Sequence, residues 1–515
     1  MSDFSSPQIP QTASGDSTPA PFRGWNARES LALMDPGDAV ELINWFPDGQ
    51  RARVRRGSAA HATGMGSTAY VESLMAFSSP SAEAIFAATG SSIFDVTAAG
   101  AVGVAAVTGL TNARFQSVNH GSAASNNLFI CNGSDAPRVY NGSAWSTPTI
   151  TGATAANFIH CTSYSRRLYA VEKDSLTLWY FQPGAIAGPV SPLRLDPYCK
   201  YGGYLMAAGS WTRDGGDGGF NDVLCCLTSN GELLAFTGTD PTNPATFTLS
   251  GRFDMAPPLS RRCMLNLGGE LVILTTKGAV GVSDVLPNEG IVTIPVSDRI
   301  DDAWEEAFNT YGDNWGWDLH YFPTGEMMLI NVPRTTNSKA DQYVMNTKTK
   351  AWCKFQDLNV NCFVNSDKKL YAGTNAGTVI QLWSGTNDQG NNIESKARTA
   401  FWYTNDQRGR LKKFTMVRPN FLSDGPIPFS ISLDVNFQNN IPMNVPTPTP
   451  THFADWTGNC AWDECFWAET PQFVNAWSTT SGVGQSASIH IRGLTNDETI
   501  FWVANDWVYE VGNFV

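Results

Sequence analysis

A glycine-rich stretch from Trp211 to Asp222, WTRDGGDGGFND, contains the acidic residues best suited by spacing to cation chemistry. Asp214, Asp217 and Asp222 could supply carboxylate oxygens to a hard cation such as Ca²⁺. The stretch lacks the alternating aspartates of an EF-hand loop. It also lacks the Ser-x-Asp-x-Gly order of a sialidase Asp box. Because aspartate and glycine both favour tight turns, we interpret it as a turn between two strands.

A second group of carboxylates lies between Ser297 and Trp317, in SDRIDDAWEEAFNTYGDNWGW. Ile300, Trp304 and Phe308 recur every four residues, which predicts an amphipathic helix. An acid/base pair needs an apolar pocket that separates the two pKa values, and an exposed helix face has none. We therefore predict a solvated face rather than a catalytic pair. The acidic residues of that face are Asp301, Asp302, Glu305 and Glu306.

Ten cysteines are scattered along the chain, and Cys460 and Cys465, in GNCAWDECFW, could suggest a metal site. No CxxC pair and no histidine pair at ligand spacing accompanies them, so we predict no metal. Scattered cysteines in a long chain are typical of reduced, buried thiols. The sequence also lacks GxSxG, P-loop, GxGxxG and HExxH motifs. We therefore predict neither catalytic residues nor a cofactor, and expect a protein that is not an enzyme.

The only dense basic stretch, RARVRR, follows a Pro-Asp-Gly turn near the N-terminus. Strand alternation places Arg51, Arg53 and Arg55 on one face. Because guanidinium groups bind carboxylates bidentately, these three residues are the predicted contacts with a neighbouring subunit. The alternative is a solvated edge strand whose charges block aggregation. The sequence leaves both hypotheses open.

Further predictions concern the N-terminal region. Asp38 and Glu41 match a capping box and predict a short helix that carries Val40 and Ile43. Residues 1–22 are rich in Ser, Thr, Pro and Gln, so we expect a flexible arm, followed by a segment of residues 23–65 that packs on the β-domains. No secretory leader is apparent, and no run approaches the roughly 18 apolar residues of a membrane span.

The middle of the chain repeats one pattern, in which a short hydrophobic strand, a Gly or Asn turn and a second strand follow one another. A recurrence of about 40 to 50 residues is the spacing of propeller blades. We predict a mainly β fold with a β-propeller over residues 66–392. Seven blades are expected, with six or eight as alternatives, and a large sandwich or several jelly rolls is the competing architecture. The hairpins begin at Ala84, Leu128, Arg167, Val223, Glu270, Glu326 and Lys369.

Residues 393–515 show longer alternating strands, such as the run from Phe429 to Val435, and predict a C-terminal β-sandwich. A Pro- and Trp-rich insert interrupts them. Exposed indoles bind sugars in some proteins and pack at subunit interfaces in others, and both interpretations stay open here. The tryptophans concerned are Trp456, Trp462, Trp467 and Trp477.

Composition agrees with a large globular β protein. The 515 residues are 42% hydrophobic and only 16% charged, and they include 46 glycines and 29 prolines, which favours short strands joined by tight turns. The net charge of −13 disfavours binding of nucleic acid through its phosphates.

Three stretches resemble a known family. The segment MDPGDAVELINWFP with the following RARVRRG, the segment GRLKKFTMVRP and the closing TIFWVANDWVYEVGNFV resemble the tail nozzle (tail tube) proteins of short-tailed bacteriophages. The resemblance implies a structural virion protein, a homohexamer ring with a β-propeller in each subunit. The ring would attach below the tail adaptor and form a conduit for genome ejection.

The resemblance also implies partners and a location. The partners would be further copies of the chain, the adaptor, other tail proteins and, as a further candidate, tail fibres. Double-stranded DNA would pass through the lumen without specific binding, and the protein would assemble in the host cytoplasm and reside in the virion. The alternative function is that of a propeller-type tail protein that binds or cleaves glycans.

Overall fold

The computed structural model describes residues 13–66, 70–122, 126–214, 220–285, 295–404, 409–425, 427–443, 445 and 472–514, and they are mainly β. The two α-helices of this described part are α1 (Val282–Val285) and α2 (Asp301–Tyr311). Neither has the length and apolar character that a membrane crossing requires. Short 3-10 turns occupy Ala155–Asn157, Asp298–Ile300 and Pro323–Gly325.

The strands are numbered in chain order. Residues 13–57 contain β1 (Ser14–Pro19), β2 (Gly24–Trp25), β3 (Asp38–Ile43), β4 (Trp45–Asp48) and β5 (Arg51–Val54). The next region contains β6 (Ser58–Thr63), β7 (Val71–Ser78), β8 (Glu83–Thr89), β9 (Ser92–Asp95), β10 (Gly100–Ala101), β11 (Gln116–Gly121), β12 (Asn126–Cys131), β13 (Arg138–Tyr140), β14 (Trp145–Ser146), β15 (Ile150–Thr151), β16 (Phe158–Tyr164), β17 (Arg167–Glu172), β18 (Thr177–Tyr180), β19 (Gly188–Pro189), β20 (Ser191–Arg194), β21 (Leu205–Asp214), β22 (Phe220–Thr228), β23 (Glu232–Thr237), β24 (Thr248–Asp254), β25 (Met264–Leu267), β26 (Glu270–Thr275), β27 (Gly278–Gly281), β28 (Asp318–Phe322), β29 (Met327–Thr335) and β30 (Lys339–Asn346).

The remaining strands follow β30. They are β31 (Trp352–Phe355), β32 (Val360–Ser366), β33 (Lys369–Thr374), β34 (Val379–Leu382), β35 (Ile393–Thr399), β36 (Arg410–Ser423), β37 (Phe429–Val435), β38 (Gln472–Asn475), β39 (Ser478–Gly484), β40 (Ala487–Thr495) and β41 (Ile500–Phe514).

The chain divides into two compact units. Unit 1 combines residues 1–57, 346–355 and 384–515, and unit 2 combines residues 58–345 and 356–383. The sequence predicted divisions at residues 22, 65 and 392. The unit boundaries differ from these positions because strands that are distant in sequence pair with one another.

Unit 2 is a succession of small sheets. Its described part contains seven groups of three to five paired strands, numbered here as its first to seventh sheets, which are β7–β9, β11–β14, β16–β18 with β20, β21–β24, β25–β27, β28–β30 as part of a nine-stranded sheet, and β32–β34 with β6 and β10. Strand β6 pairs antiparallel with β34, so the first strand of the unit completes its last sheet. A separate parallel pair joins β15 to β19.

Apolar side chains join each of the first three sheets of unit 2 to the next. Met75 and Phe86 of the first sheet pack with Ile130 of the second. The opposite side of the second sheet contributes Phe129 to a cluster with Leu168 of the third. The third and fourth sheets share another cluster, which includes Tyr169, Leu178, Leu224 and Leu234.

The succession of sheets also continues from the fourth to the seventh and returns to the first. The Trp211 indole of the fourth sheet donates to the Gly269 carbonyl, 3.1 Å away, in the fifth. Val71 and Leu74 of the first sheet share a core with Tyr371 of the seventh. The first strands of the sheets, β7, β11, β16, β21, β25, β28 and β32, contact one another in this order, and β32 contacts β7. The packing of unit 2 is therefore circular.

Unit 1 contains strands from both ends of the chain. One sheet has the order β38-β36-β41-β5-β4, with β1 on β41 and β39 on β36. The other sheet includes the unit 1 strands β31-β3-β35-β40-β37, with β2 on β3. Trp45 of the first sheet lies 5.5 Å from both Trp502 and Phe429, measured between ring centroids. Because Phe429 belongs to the second sheet, this aromatic cluster joins the two sheets.

The predicted helix at Asp38 is not formed. These residues form β3, which pairs with β35, β31 and β2. Asp38 is buried and accepts a 2.9 Å hydrogen bond from the Asn26 side-chain amide. A helix of a few residues is unstable in isolation, so pairing on both sides of this segment overrides its local capping pattern.

Part of the predicted flexible arm, residues 1–22, also has a regular structure. Residues 1–12 lie outside the described residues, whereas β1 pairs antiparallel with β41 between Ser14 and Pro19. The Trp507 indole donates to the Thr18 hydroxyl at 3.0 Å. Composition alone did not predict this strand, because its hydrogen-bond partner is β41 at the far end of the chain.

Candidate functional site

The arginine strand β5 lies inside the first sheet of unit 1. It pairs with β4 on one side, where Asp48 is opposite Arg51, and with β41 on the other, where Phe501 is opposite Arg53. The solvated edge strand that the sequence allowed is therefore not β5, because both of its edges are paired. Pro47 and Asp48, predicted to lie in the turn, end β4 instead, and the two-residue turn Gly49–Gln50 joins β4 to β5 and fixes their register.

Arg51 and Arg53 share one aromatic ring. Their guanidinium carbons lie 3.9 Å and 5.3 Å from the centroid of Phe501. The Arg51 side chain is 42% exposed and lies 3.5 Å from the Asp48 carboxylate, which is itself 37% exposed. Such an exposed ion pair contributes less than about 1 kcal/mol, so Arg51 can exchange Asp48 for another carboxylate at little cost.

The surroundings of Arg53 disfavour the charged form of its guanidinium group. The pKa of its guanidinium is lowered to about 10, mainly by burial and also by the nearby positive charges of Arg56 and Arg51, against the opposing effect of Asp48. Arg56, two residues beyond the end of β5, is exposed. A carboxylate brought to this face would meet two accessible guanidinium groups and relieve the repulsion among three.

Arg55 differs from the other two arginines, because β5 ends at Val54 and Arg55 is 3% exposed. Its terminal nitrogens donate to both carboxylate oxygens of Asp388, at 3.0 Å and 2.5 Å. Its Nε donates to the side-chain oxygen of Asn44 at 2.9 Å. The predicted bidentate pair therefore exists, but it lies within the chain, so Arg55 is not accessible to a neighbouring subunit.

The face that remains for an external partner consists of Arg51, Arg53 and Arg56. The sequence did not identify Phe501 or Asp388 as their neighbours. No local pattern could have done so, because both residues reach β5 only through long-range folding.

Two aspartates of the glycine-rich stretch, Asp214 and Asp222, lie in the paired strands β21 and β22. Asp214 ends β21 and lies opposite Phe220, the first residue of β22, which agrees with the predicted turn. Asp217 lies outside the described residues, and Asp222 is exposed in β22. Within the described ranges, no three His, Cys, Asp or Glu side chains are grouped as metal ligands would be.

The other candidate groups have ordinary structural positions. Helix α2 buries Trp304 and exposes all four carboxylates, so the predicted solvated face is confirmed. Eight cysteines, from Cys131 to Cys362, are free thiols, and all but the half-buried Cys199 are buried, as predicted. Cys460, Cys465, Trp456, Trp462 and Trp467 lie outside the described residues. Trp477 is 40% exposed, and the Arg418 guanidinium carbon lies 4.6 Å from its ring centroid.

Comparison with known proteins gives similarity at the level of structure alone. No family model and no curated protein matches the sequence. The WD40 β-propeller domain of Doa1 is similar at 11% identity with a TM-score of 0.40, covering 63% of this chain and 96% of that one. YCF48 from Cyanidioschyzon merolae is similar at 10% identity with a TM-score of 0.35, covering 64% and 96%. The computationally designed Ika8 protein has 9% identity and a TM-score of 0.35, covering 63% and 100%. Likeness at these scores supports no conclusion about function.

Proposed function

We propose that the chain is a structural subunit of the tail nozzle of a short-tailed bacteriophage. The observation that carries the proposal is the position of the three stretches that resemble this family. They contribute β5, β36 and β41, which are adjacent strands in the order β36-β41-β5 of one sheet. If the three stretches form one structural element, a resemblance of all three to the same family is expected.

The proposal includes an architecture for each unit. Unit 2 would be a seven-bladed β-propeller in which β6 closes the ring by joining the last blade. Its circular packing, with Val71 of the first sheet against Tyr371 of the last, supports this architecture. Unit 1 would be a β-sandwich whose two sheets share the aromatic core around Trp45.

Assembly would place six copies in a ring around a DNA conduit. Six copies carry a formal charge of −78, which is six times the −13 of one chain. A wall of that sign would not retain the phosphates of passing DNA, whereas a basic wall would bind them. The same charge makes neighbouring subunits repel one another, so their contacts need local positive groups.

The face of Arg51, Arg53 and Arg56 would supply those groups. Phe501 lies against the guanidinium groups of Arg51 and Arg53, and the exposed Asp48 carboxylate competes only weakly for Arg51. A carboxylate of a neighbouring subunit or tail protein would pair with them bidentately. Arg55 is excluded from this role, because its two terminal nitrogens already bind Asp388.

A charge-deletion experiment tests this interface. The double variant Arg51→Ala/Arg53→Ala should keep its fold by circular dichroism but assemble less completely in sedimentation velocity, and assembly of the parent should weaken as salt rises. A matched control is Arg194→Ala/Lys277→Ala, which removes two positive charges from side chains that are 74% and 72% exposed in unit 2. If both double variants assemble like the parent, the arginine face is not an interface.

The proposed role involves no catalysis. The competing function, a tail protein that cleaves glycans, requires two carboxylates about 5 to 10 Å apart in an open pocket. A direct test is incubation of purified protein with host polysaccharide. Cleavage that disappears in Asp214→Asn or Asp217→Asn variants would establish an enzyme and contradict the structural role.

A further inference from the structure

Three arginines converge where the chain enters the first strands of the sheets in unit 2. Arg114 precedes β11 by two residues, and Arg261 and Arg262 lie just before β25. Glu72 of β7 and Trp315, which precedes β28, lie at the same end. Because β7, β11, β25 and β28 belong to the circle of first strands, this end collects side chains from sheets that are far apart in sequence.

The side chain of Arg262 links several sheets of unit 2. Its terminal nitrogens donate to the Glu72 carbonyl at 2.6 Å, to the Ser73 hydroxyl at 2.9 Å and to the Asn361 carbonyl at 3.2 Å. It also lies 3.8 Å from the Asp318 carboxylate, and its side chain is 10% exposed. Arg262 therefore connects the fifth sheet to the first, sixth and seventh. These partners occupy most of its guanidinium group.

Only part of the Arg114 guanidinium group donates hydrogen bonds to the described residues. Its Nε donates to Glu72 Oε1 at 3.1 Å, and its side chain is 40% exposed. The Trp315 ring centroid lies 4.5 Å from its guanidinium carbon and supports the group from one side. Among the residues that the structure describes, no acceptor binds the two terminal nitrogens of Arg114, so four N–H donors remain available.

Arg261 is the more unusual of the two. A Cβ built on Gly133, in the turn after β12, would lie 3.5 Å from its Nη1, so the side chain extends from the fifth sheet to the second. Within the described part of the chain, Arg261 makes no hydrogen bond or ion pair. Burial lowers its pKa, and the positive charge of Arg114 lowers it as well, although Tyr204 and Asp174 act in the opposite direction.

The Gly133 turn also brings Arg114 and Arg261 together. The side-chain amide of Asn132 donates to the Asn112 carbonyl at 3.1 Å, which fixes this turn beside the segment that carries Arg114. The nearby imidazole of His160 does not add a third cation, because burial and the charge of Arg261 lower its pKa to about 4. Two guanidinium groups with unused donors thus lie close to one turn.

We propose that Arg114 and Arg261 bind the carboxylate group of a small monoanion at this end of unit 2. A carboxylate accepts two parallel hydrogen bonds from a guanidinium group, and the pair of arginines offers them from two sides. A single negative charge suits the surroundings better than a phosphate dianion, because the carboxylates of Glu72 and Asp174 lie nearby. The site is independent of the proposed assembly role.

Two small carboxylates distinguish the sources of such a group. D-glucuronate represents an acidic sugar, and N-acetylglutamate amide represents an acidic side chain. Isothermal titration of the full chain at low salt should show binding of at least one of them, with an affinity that falls as salt rises. Tighter binding of glucuronate would indicate an acidic sugar as the natural ligand, and tighter binding of the glutamate derivative would indicate a peptide side chain.

The variant Arg261→Met tests the site without a large cost in folding, because it keeps an unbranched side chain and removes a charge that has no described acceptor. Its melting temperature without ligand should equal or exceed that of the parent, and its carboxylate affinity should fall about tenfold or more. Arg194→Ala, which removes an exposed arginine of the same unit, should leave the affinity unchanged.

Three results would overturn the proposal. They are absence of binding of both carboxylates to the parent chain at millimolar concentration, unchanged binding in Arg261→Met, and tighter binding of inorganic phosphate than of either carboxylate.

Discussion

At the scale of single residues, the arginines of this chain show that surroundings decide what a guanidinium group does. Arg55 is buried with a bidentate carboxylate partner, so it holds the loop around Asp388 to the strand region of β5. Arg51 is two-fifths exposed on an aromatic ring and can accept a partner. Arg261 is half-buried and has no described acceptor. This position suits a residue that binds a ligand better than one that links parts of the fold.

The first prediction compares Arg55 with Arg51. Arg55→Ala removes both guanidinium hydrogen bonds to the largely buried Asp388 carboxylate, so it should lower the free energy of unfolding by about 3 to 5 kcal/mol. Arg51→Ala breaks an exposed pair and should cost less than about 1 kcal/mol. Urea unfolding of both variants measures the difference. Equal losses would show that Arg55 does not carry the structural charge pair.

A second prediction concerns alkaline pH. Burial raises the pKa of the Cys225, Cys263 and Cys362 thiols to about 12. Above a pH of about 9, the unfolded chain therefore loses protons that the folded chain keeps, and stability falls as pH rises toward 12. Lys412 acts in the opposite direction, because burial lowers its pKa to about 8, so its contribution to stability rises between pH 8 and about 10.5. The combined loss of stability from the three thiols exceeds the gain from the single ammonium group of Lys412.

The measurement is the urea midpoint at pH 8 and at pH 10.5. The midpoint of the parent should be lower at pH 10.5, and Cys263→Ala should show a smaller drop because one of the shifted thiols is gone. A midpoint that stays constant or rises with pH would contradict the account of the buried cysteines.

At the scale of elements, structure that depends on neighbouring residues could be predicted from the sequence, whereas structure that depends on distant residues could not. The amphipathic helix could be predicted because its spacing of Ile300, Trp304 and Phe308 lies within one short segment, and α2 begins at Asp301. The antiparallel pairing of β21 with β22 on either side of the glycine-rich stretch was equally local. Strand β3 could not be predicted, because its conformation depends on β35 and β31, whose residues lie more than 300 positions away.

The candidate site shows the same limit. Alternation correctly grouped Arg51 and Arg53, which share Phe501. It failed for Arg55, whose partner Asp388 lies 333 residues away. The convergence of Arg114 and Arg261 had no sequence signal either, because only the circular order of the sheets brings their segments together.

A third prediction tests how β6 completes the last sheet of unit 2. Ala62 is fully buried opposite Val379, in the core that the first and last sheets share. Ala62→Asp would place an unpaired carboxylate there and should lower stability by about 3 kcal/mol or more. Ala60→Asp, on the exposed side of the same strand, is the matched control and should be nearly neutral. Thermal unfolding measures both variants, and similar melting temperatures would contradict the closure by β6.

At the scale of the whole molecule, charge and connectivity support the proposed assembly. Both ends of the chain contribute strands to unit 1, so a single sheet carries the arginine face and the long strands β36 and β41. The chain is strongly acidic, with a net charge of −13, and the arginine face is a local exception to that balance. An acidic subunit with a local basic face is suited to self-association in which carboxylates of one copy meet guanidinium groups of the next.

The measurement that tests the central claim most directly is the mass and shape of the purified full chain at moderate salt, by native mass spectrometry and negative-stain electron microscopy. The account predicts a closed ring of six copies with a central opening and a mass of about 335 kDa, six times the 55.9 kDa of one chain. A species that stays at 55.9 kDa across the accessible concentration range, in the presence and absence of other tail proteins, would contradict it.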